Sequence, residues 1–240
     1  MPFLLPLSPC SAIASTNRMP PLKAILFDLD GTLVDSVRDL RDAVNVLLVE
    51  EGLRQIDLDE TKSMIGDGAA KLVERAVSAT GGDLSRLPAL VARFLQIYEA
   101  NASHHTESYP GVVETLSGLR DLGLQLAVVT NKPYAATIDI LQALDLKAYF
   151  HTIIGGDTLP ERKPHPGPIL AALKQLGLTP KDALMVGDNY HDVQAAQAAG
   201  VRAFAVTYGY SHKPHAELGA DRLIDAMPEL LPIVAGATAA

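Results

Sequence analysis

From Lys23 onward, apolar runs of strand length alternate with amphipathic stretches of helix length, and this alternation restricts the fold more than any other feature of the chain. The runs lie at residues 24–27, 124–129, 152–154, 183–186, 203–206 and, more weakly, 222–224. A strand that is apolar on successive residues has to be covered on both faces, and a helix-length connection returns the chain to the same edge of the sheet. The spacing therefore predicts an α/β fold, a doubly wound parallel sheet of the Rossmann-like kind. Helices are expected at roughly 111–122, 134–144, 166–176 and 192–199, with a short one near His215.

One stretch breaks the alternation. Between the first strand and the helix at 111 lie about 75 residues without a strand pattern. Leu40, Ala43, Val44, Leu47 and Leu48 recur at helical spacing, as do Leu87, Leu90, Val91, Phe94 and Leu95, while Leu72, Val73, Ala76 and Val77 make a third stripe. Residues 37–108 are thus expected to form an inserted helical cap domain on a core made of residues 21–36 and 109–240. Such an insertion either thickens the fold or serves as a lid over the strand ends. Residues 1–20 hold four prolines and no basic residue before Arg18, which spoils a signal peptide and reads as a disordered leader, with Met19 as an alternative start.

Composition narrows the function classes. Twenty Lys+Arg against 28 Asp+Glu give a net charge of −8, which disfavours nucleic acid and anionic membranes as partners. No run of 18 apolar residues offers a membrane span, and the single cysteine, Cys10, has no internal disulfide partner, so a cytoplasmic location is expected. The sequence leaves monomer and homodimer equally open.

In an open parallel sheet ligands bind beyond the carboxyl ends of the strands, and these positions are unusually polar here. The first strand runs into Asp28-Leu29-Asp30-Gly31-Thr32, the second into Thr130-Asn131-Lys132, and the fourth into Gly187-Asp188-Asn189 with Asp192 four residues after Asp188. Lys163 follows the third strand by a short loop. Four carboxylates, a hydroxyl and a lysine would converge on one edge, where like charges repel by several kcal/mol unless a cation or proton intervenes. An oxygen-only donor set suits a hard ion that keeps some of its waters, Mg²⁺ rather than Zn²⁺.

The string from Phe27 to Ser36, FDLDGTLVDS, together with Thr130-Asn131, Lys163-Pro164 and Gly187-Asp188-Asn189-Tyr190-His191-Asp192, resembles the four motifs of the haloacid dehalogenase superfamily, in order, over about residues 21–234. The insertion after the first motif resembles that superfamily's small helical caps. Within it, Ile65-Gly66-Asp67-Gly68-Ala69, Tyr109-Pro110-Gly111-Val112 and Thr207-Tyr208-Gly209-Tyr210 are most similar to the bacterial phosphoglycolate phosphatases. The resemblance implies a Mg²⁺-dependent phosphomonoester hydrolase working through an aspartyl-phosphate, on a small phosphorylated acid, 2-phosphoglycolate first. Another phosphorylated metabolite, such as a sugar phosphate or pyrophosphate, is the alternative, and a sugar phosphomutase is a more distant one.

The same resemblance implies roles. Asp28 is expected as the nucleophile, and Asp30 as the acid and then the base, with a proton favoured on Asp30 by crowding from Asp28. Thr130 and the Asn131 amide are expected as phosphate donors, and Lys163 as the neutralising cation. Mg²⁺ is expected on Asp28, the Asp30 carbonyl and Asp188, with Asp192 and Asn189 supporting the site. Asn189 stands where many relatives carry serine. A weaker expectation places Gly66, Asp67, Gly68 and Lys71 against the non-reacting end of the substrate. His104-His105, His165 and His191 are read as solvated or structural.

Overall fold

The computed structural model describes residues 22–100 and 103–238, and the leader expected at residues 1–20 lies outside them. Six parallel strands form one sheet: β1 (Ala24–Phe27), β4 (Gln125–Val129), β5 (Thr152–Ile154), β6 (Ala183–Gly187), β7 (Arg202–Val206) and β8 (Arg222–Ile224). Their order is β5-β4-β1-β6-β7-β8. The chain builds outward from β1 through β4 to β5, then returns to the other side of β1 for β6, β7 and β8. The doubly wound sheet is therefore present, and its switch point falls between the carboxyl ends of β1 and β6, with the end of β4 beside it.

Register aligns those ends, because Phe27 pairs with Val128 on one side and Val186 on the other. Asp28, Thr130 and Asp188 consequently leave the sheet at nearly the same height. Side chains alternate across the sheet. Ile25, Phe27, Leu126, Val128 and Val186 pack on one face, under α5 (Val112–Asp121) and α9 (Leu230–Thr238). The other face carries the smaller Ala24, Ala127, Ala203 and Ala205, which lets α7 (Gly167–Leu176) and α8 (Tyr190–Ala199) approach closely. Helix α6 (Tyr134–Ala143) completes the alternation.

The insert is helical, as its stripes require: α1 (Val37–Glu50), α2 (Leu58–Lys62), α3 (Ala69–Ala79) and α4 (Leu87–Glu99). The predicted apolar positions Leu40, Val44, Leu47, Leu72, Val73, Leu90 and Phe94 are buried in a cluster of their own. The five-residue α2 carries no stripe, and an Asp57/Glu60 capping box starts it. A short antiparallel pair, β2 (Val34–Asp35) with β3 (Glu107–Ser108), brings the outgoing and returning chains together beneath the insert. Among the described residues no helix is long and apolar enough to cross a membrane.

Candidate active site

The ends of β1, β4 and β6 meet the insert around a cavity of about 50 Å³. That is small, since one water needs roughly 10–15 Å³ by the same measure. Asp28, Asp30, Thr130, Asn131, Lys163, Asp188, Asn189 and Asp192 all line it, so the structure brings together every core residue expected from the sequence.

Carboxylate oxygens of Asp28, Asp188 and Asp192 lie within 4.8 Å of one another. One cation sits among them: the buried Lys163 Nζ is 2.9 Å from Asp28 Oδ1 and 2.5 Å from Asp192 Oδ1. Like charges about 5 Å apart repel by roughly 3 kcal/mol per pair at an effective dielectric of about 20, so a single ammonium leaves the group under-compensated. Burial pushes the Asp28 carboxyl up to about 6; Lys163 opposes the rise and Asp192 adds to it. Asp188 is raised well above the usual carboxylate range, by burial first and then by Asp192 and Asp28.

The donor set fits a divalent cation. Asp28 Oδ1 is buried without a hydrogen-bond donor, because the Lys163 ammonium stands at ion-pair distance without hydrogen-bond geometry. The ligand atoms are all oxygens, and the cluster is one positive group short of balance. The remaining oxygens are held in place. The Tyr210 N–H donates to Asp188 Oδ2 at 2.6 Å and the Asn189 N–H to Asp192 Oδ2 at 3.1 Å. Asn189 also caps α8, its Oδ1 accepting from the Tyr190 N–H at 2.8 Å. Gly187 is needed here because a Cβ would run into the Asp192 side chain.

The Asn131 side chain is already engaged. Its Nδ2 donates to the Gly66 carbonyl at 3.0 Å and to the Lys163 carbonyl at 2.9 Å, while its Oδ1 accepts from the Lys163 N–H at 2.9 Å. Both side-chain amide protons are spent on pinning the Lys163 loop and the insert loop to the end of β4. The backbone N–H is the Asn131 donor left for an anion. Thr130 keeps its hydroxyl proton, since its Oγ1 accepts from the Lys132 N–H at 3.2 Å.

Asp30 faces an ammonium instead of the expected second carboxylate. Lys132 Nζ lies 3.1 Å from both its oxygens, and the Ser36 hydroxyl donates to Oδ1 at 2.5 Å. Lys132 also donates to the Tyr98 hydroxyl at 2.6 Å. Neither Lys132 nor Tyr98 stood out in the sequence. The signal for Lys132 was its place directly after Thr130-Asn131 at a strand end, whereas Tyr98 continues the Phe94 stripe and reads as core.

Of the four insert residues expected near the substrate, Gly66 and Gly68 line the cavity, and Asp67 and Lys71 do not. Lys71 is exposed and paired with Glu74 at 2.8 Å. Asp67 turns toward His191 and shares a hydrogen bond with its Nε2, and it takes Arg75 Nη2 at 2.5 Å. His191 thus ties the insert loop to α8. Gly68 has φ +86°, and a Cβ there would press on the Asn131 carbonyl at 3.2 Å, so only glycine brings the loop this close without strain. His165 is exposed, its Nδ1 accepting from the Gly167 N–H at 3.1 Å. The exposed His104 and His105 stand beside Asp39 in a second group with metal-ligating atoms, but both Asp39 oxygens already accept hydrogen bonds from His105 and Thr106.

Comparison with known proteins agrees with this geometry. A profile of the haloacid dehalogenase-like hydrolases matches residues 25–206. Phosphoglycolate phosphatase 1 of Pseudomonas aeruginosa is 44% identical over 221 residues, covering 90% of this chain and 80% of the relative. A phosphoglycolate phosphatase of Chromobacterium violaceum is 43% identical over 213 residues, 87% of this chain and 95% of that one. Among solved structures, a predicted phosphoglycolate phosphatase from Haemophilus somnus superposes with a TM-score of 0.84 at 37% identity, covering 88% of this chain and 97% of the other.

Proposed function

The chain belongs to the haloacid dehalogenase-like hydrolases, and from that premise we propose that it is a phosphomonoesterase that hydrolyses 2-phosphoglycolate to glycolate and phosphate through an aspartyl-phosphate on Asp28. The observation that carries this reading is the Asp28 carboxylate at the switch point, 2.9 Å from Lys163, lining a small cavity between the strand ends and the insert. Relatives more than 40% identical named phosphoglycolate phosphatase support the substrate.

Asp28 attacks phosphorus in line and expels the alcohol. Lys163 offsets charge on the nucleophile and on the transferring phosphoryl group, while the Thr130 hydroxyl and the Asn131 N–H donate to its oxygens. Asp30, after taking up a proton from solvent, passes it to the leaving oxygen and afterwards draws one from the attacking water. To do so it must turn away from Lys132. A Mg²⁺ ion held by Asp28, Asp188 and the Asp30 carbonyl, with Asp192 beside it, would neutralise charge between carboxylate and phosphate. The helical insert at 37–108 acts as a lid, its Gly66 and Gly68 backbone lying against the Asn131 loop.

Two results are expected. Mg²⁺ should raise Tm, and the gain should shrink as pH falls through about 6. The sign follows from the raised Asp28 carboxyl: the folded site binds a proton below that pH, and the proton competes with the ion. A gain independent of pH would remove Asp28 from the ion site. Steady-state kinetics should give 2-phosphoglycolate at least about a hundredfold higher kcat/KM than ethyl phosphate, roughly 2.7 kcal/mol, because a site built to pair a carboxylate discriminates strongly against a ligand without one. Equal values would leave a phosphatase for a different substrate.

A further inference from the structure

Two lysines line the cavity, and no arginine does. Lys163 is taken up by Asp28 and Asp192 at the reacting end. Lys132 is the other, buried and 3% exposed at its side chain, and the chemistry derived above makes no use of its charge. We propose that Lys132, with the Tyr98 hydroxyl, is the docking point for the carboxylate of the substrate, and that the carboxylate takes the place of Asp30 as its counterion. This inference rests on the phosphoglycolate reading of the site.

The rest of the insert wall around the cavity leaves few options. Leu40, Ile65, Leu72, Phe94 and Leu95 are apolar, and Gly66 and Gly68 present backbone. Tyr98 is the hydroxyl that α4 contributes, fully buried against Phe94 and accepting from Lys132 Nζ, so that its own proton remains to be donated. An ammonium and a hydroxyl side by side offer donors to the two oxygens of one carboxylate. A second phosphate, with more charge and more oxygens, would need more donors than this wall provides.

An exchange of partners follows from counting protons. Lys132 Nζ has three, and its three close contacts are Asp30 Oδ1, Asp30 Oδ2 and Tyr98 Oη. A carboxylate can be accepted only if Asp30 withdraws. Asp30 keeps the Ser36 hydroxyl at 2.5 Å, and once released from the ammonium it can take up from solvent the proton that it passes to the leaving oxygen. A substrate without the carboxylate leaves Asp30 on Lys132, so the selection appears in kcat as well as in KM. Burial works against the Lys132 charge, but Asp30 and Tyr98 outweigh it and hold the ammonium protonated.

The test is the ratio of kcat/KM for 2-phosphoglycolate to that for ethyl phosphate, measured in wild type, Lys132→Met and Tyr98→Phe, with Tm recorded for each. The ratio should fall at least about thirtyfold in Lys132→Met and about fivefold in Tyr98→Phe, the latter keeping its ring and its packing. Equal losses on both substrates in Lys132→Met would overturn the proposal, since a lysine that only positions Asp30 affects both alike. If Lys132→Met does not fold, the Tyr98→Phe ratio decides, and an unchanged ratio there overturns it. A wild-type ratio near one would instead sink the phosphoglycolate reading itself, so the two failures are distinguishable.

Discussion

Asp28→Asn is expected to lose at least about ten thousandfold in kcat on every phosphomonoester while remaining folded. An amide has no anionic oxygen to attack phosphorus, and it contributes a far weaker ligand to any cation held with Asp188 and Asp192. The structural consequence runs the other way. Asp28 is one of three carboxylates whose oxygens lie within 4.8 Å, and its carboxyl is pushed up to about 6, chiefly by burial. Removing that charge relieves repulsion within the cluster, so Tm without added metal should be no lower than in wild type. Kinetics and a melting curve on the same preparation check both parts. A variant that keeps a tenth of the wild-type rate would exclude Asp28 as the nucleophile.

Lys163→Met should lose at least about a thousandfold in kcat and, unlike Asp28→Asn, should also lose stability. Lys163 Nζ is the cation between Asp28 and Asp192, its side chain 2% exposed and that of Asp192 1%. Removing one partner of a buried pair leaves an uncompensated charge, typically at a cost of about 3–5 kcal/mol. Methionine fills similar volume without charge, so the loss reports electrostatics rather than a cavity. Adding Asp192→Asn to Lys163→Met should recover part of the stability and none of the rate. Denaturant melts of the two variants check this, and a single variant as stable as wild type would mean that the carboxylates already hold protons.

The contrast between these two substitutions reflects what was legible in the sequence. Strands such as residues 183–186 are apolar on successive residues, and their helix-length connections point to a doubly wound sheet without any contact being known. The polar residues directly after β1, β4 and β6 follow from the same logic, since register carries Asp28, Thr130 and Asp188 to one height. Tertiary pairing was not legible in this way. Lys132 reads as one more loop lysine until β4 and α4 bring it to Asp30 and Tyr98. Lys71 looks available to a ligand until the helix turns it outward to Glu74. The Asn131 side chain could not be placed from sequence, since its Nδ2 donates to two carbonyls, one 65 and one 32 residues away in the chain, which leaves the backbone N–H for an anion. Helix α9 (Leu230–Thr238) has too short an apolar stretch, interrupted by Pro232, to show a helical stripe, although Leu230 and Val234 are buried against the sheet.

Stereochemistry at phosphorus tests most directly whether the phosphoryl group passes through Asp28. Hydrolysis of a chiral, oxygen-isotope-labelled thiophosphate monoester by the wild-type enzyme reports the number of in-line displacements. Transfer to Asp28 followed by attack of water is two inversions, so the product should form with net retention. Net inversion would mean a single displacement by water, and Asp28 would then be a ligand or a base instead of the nucleophile.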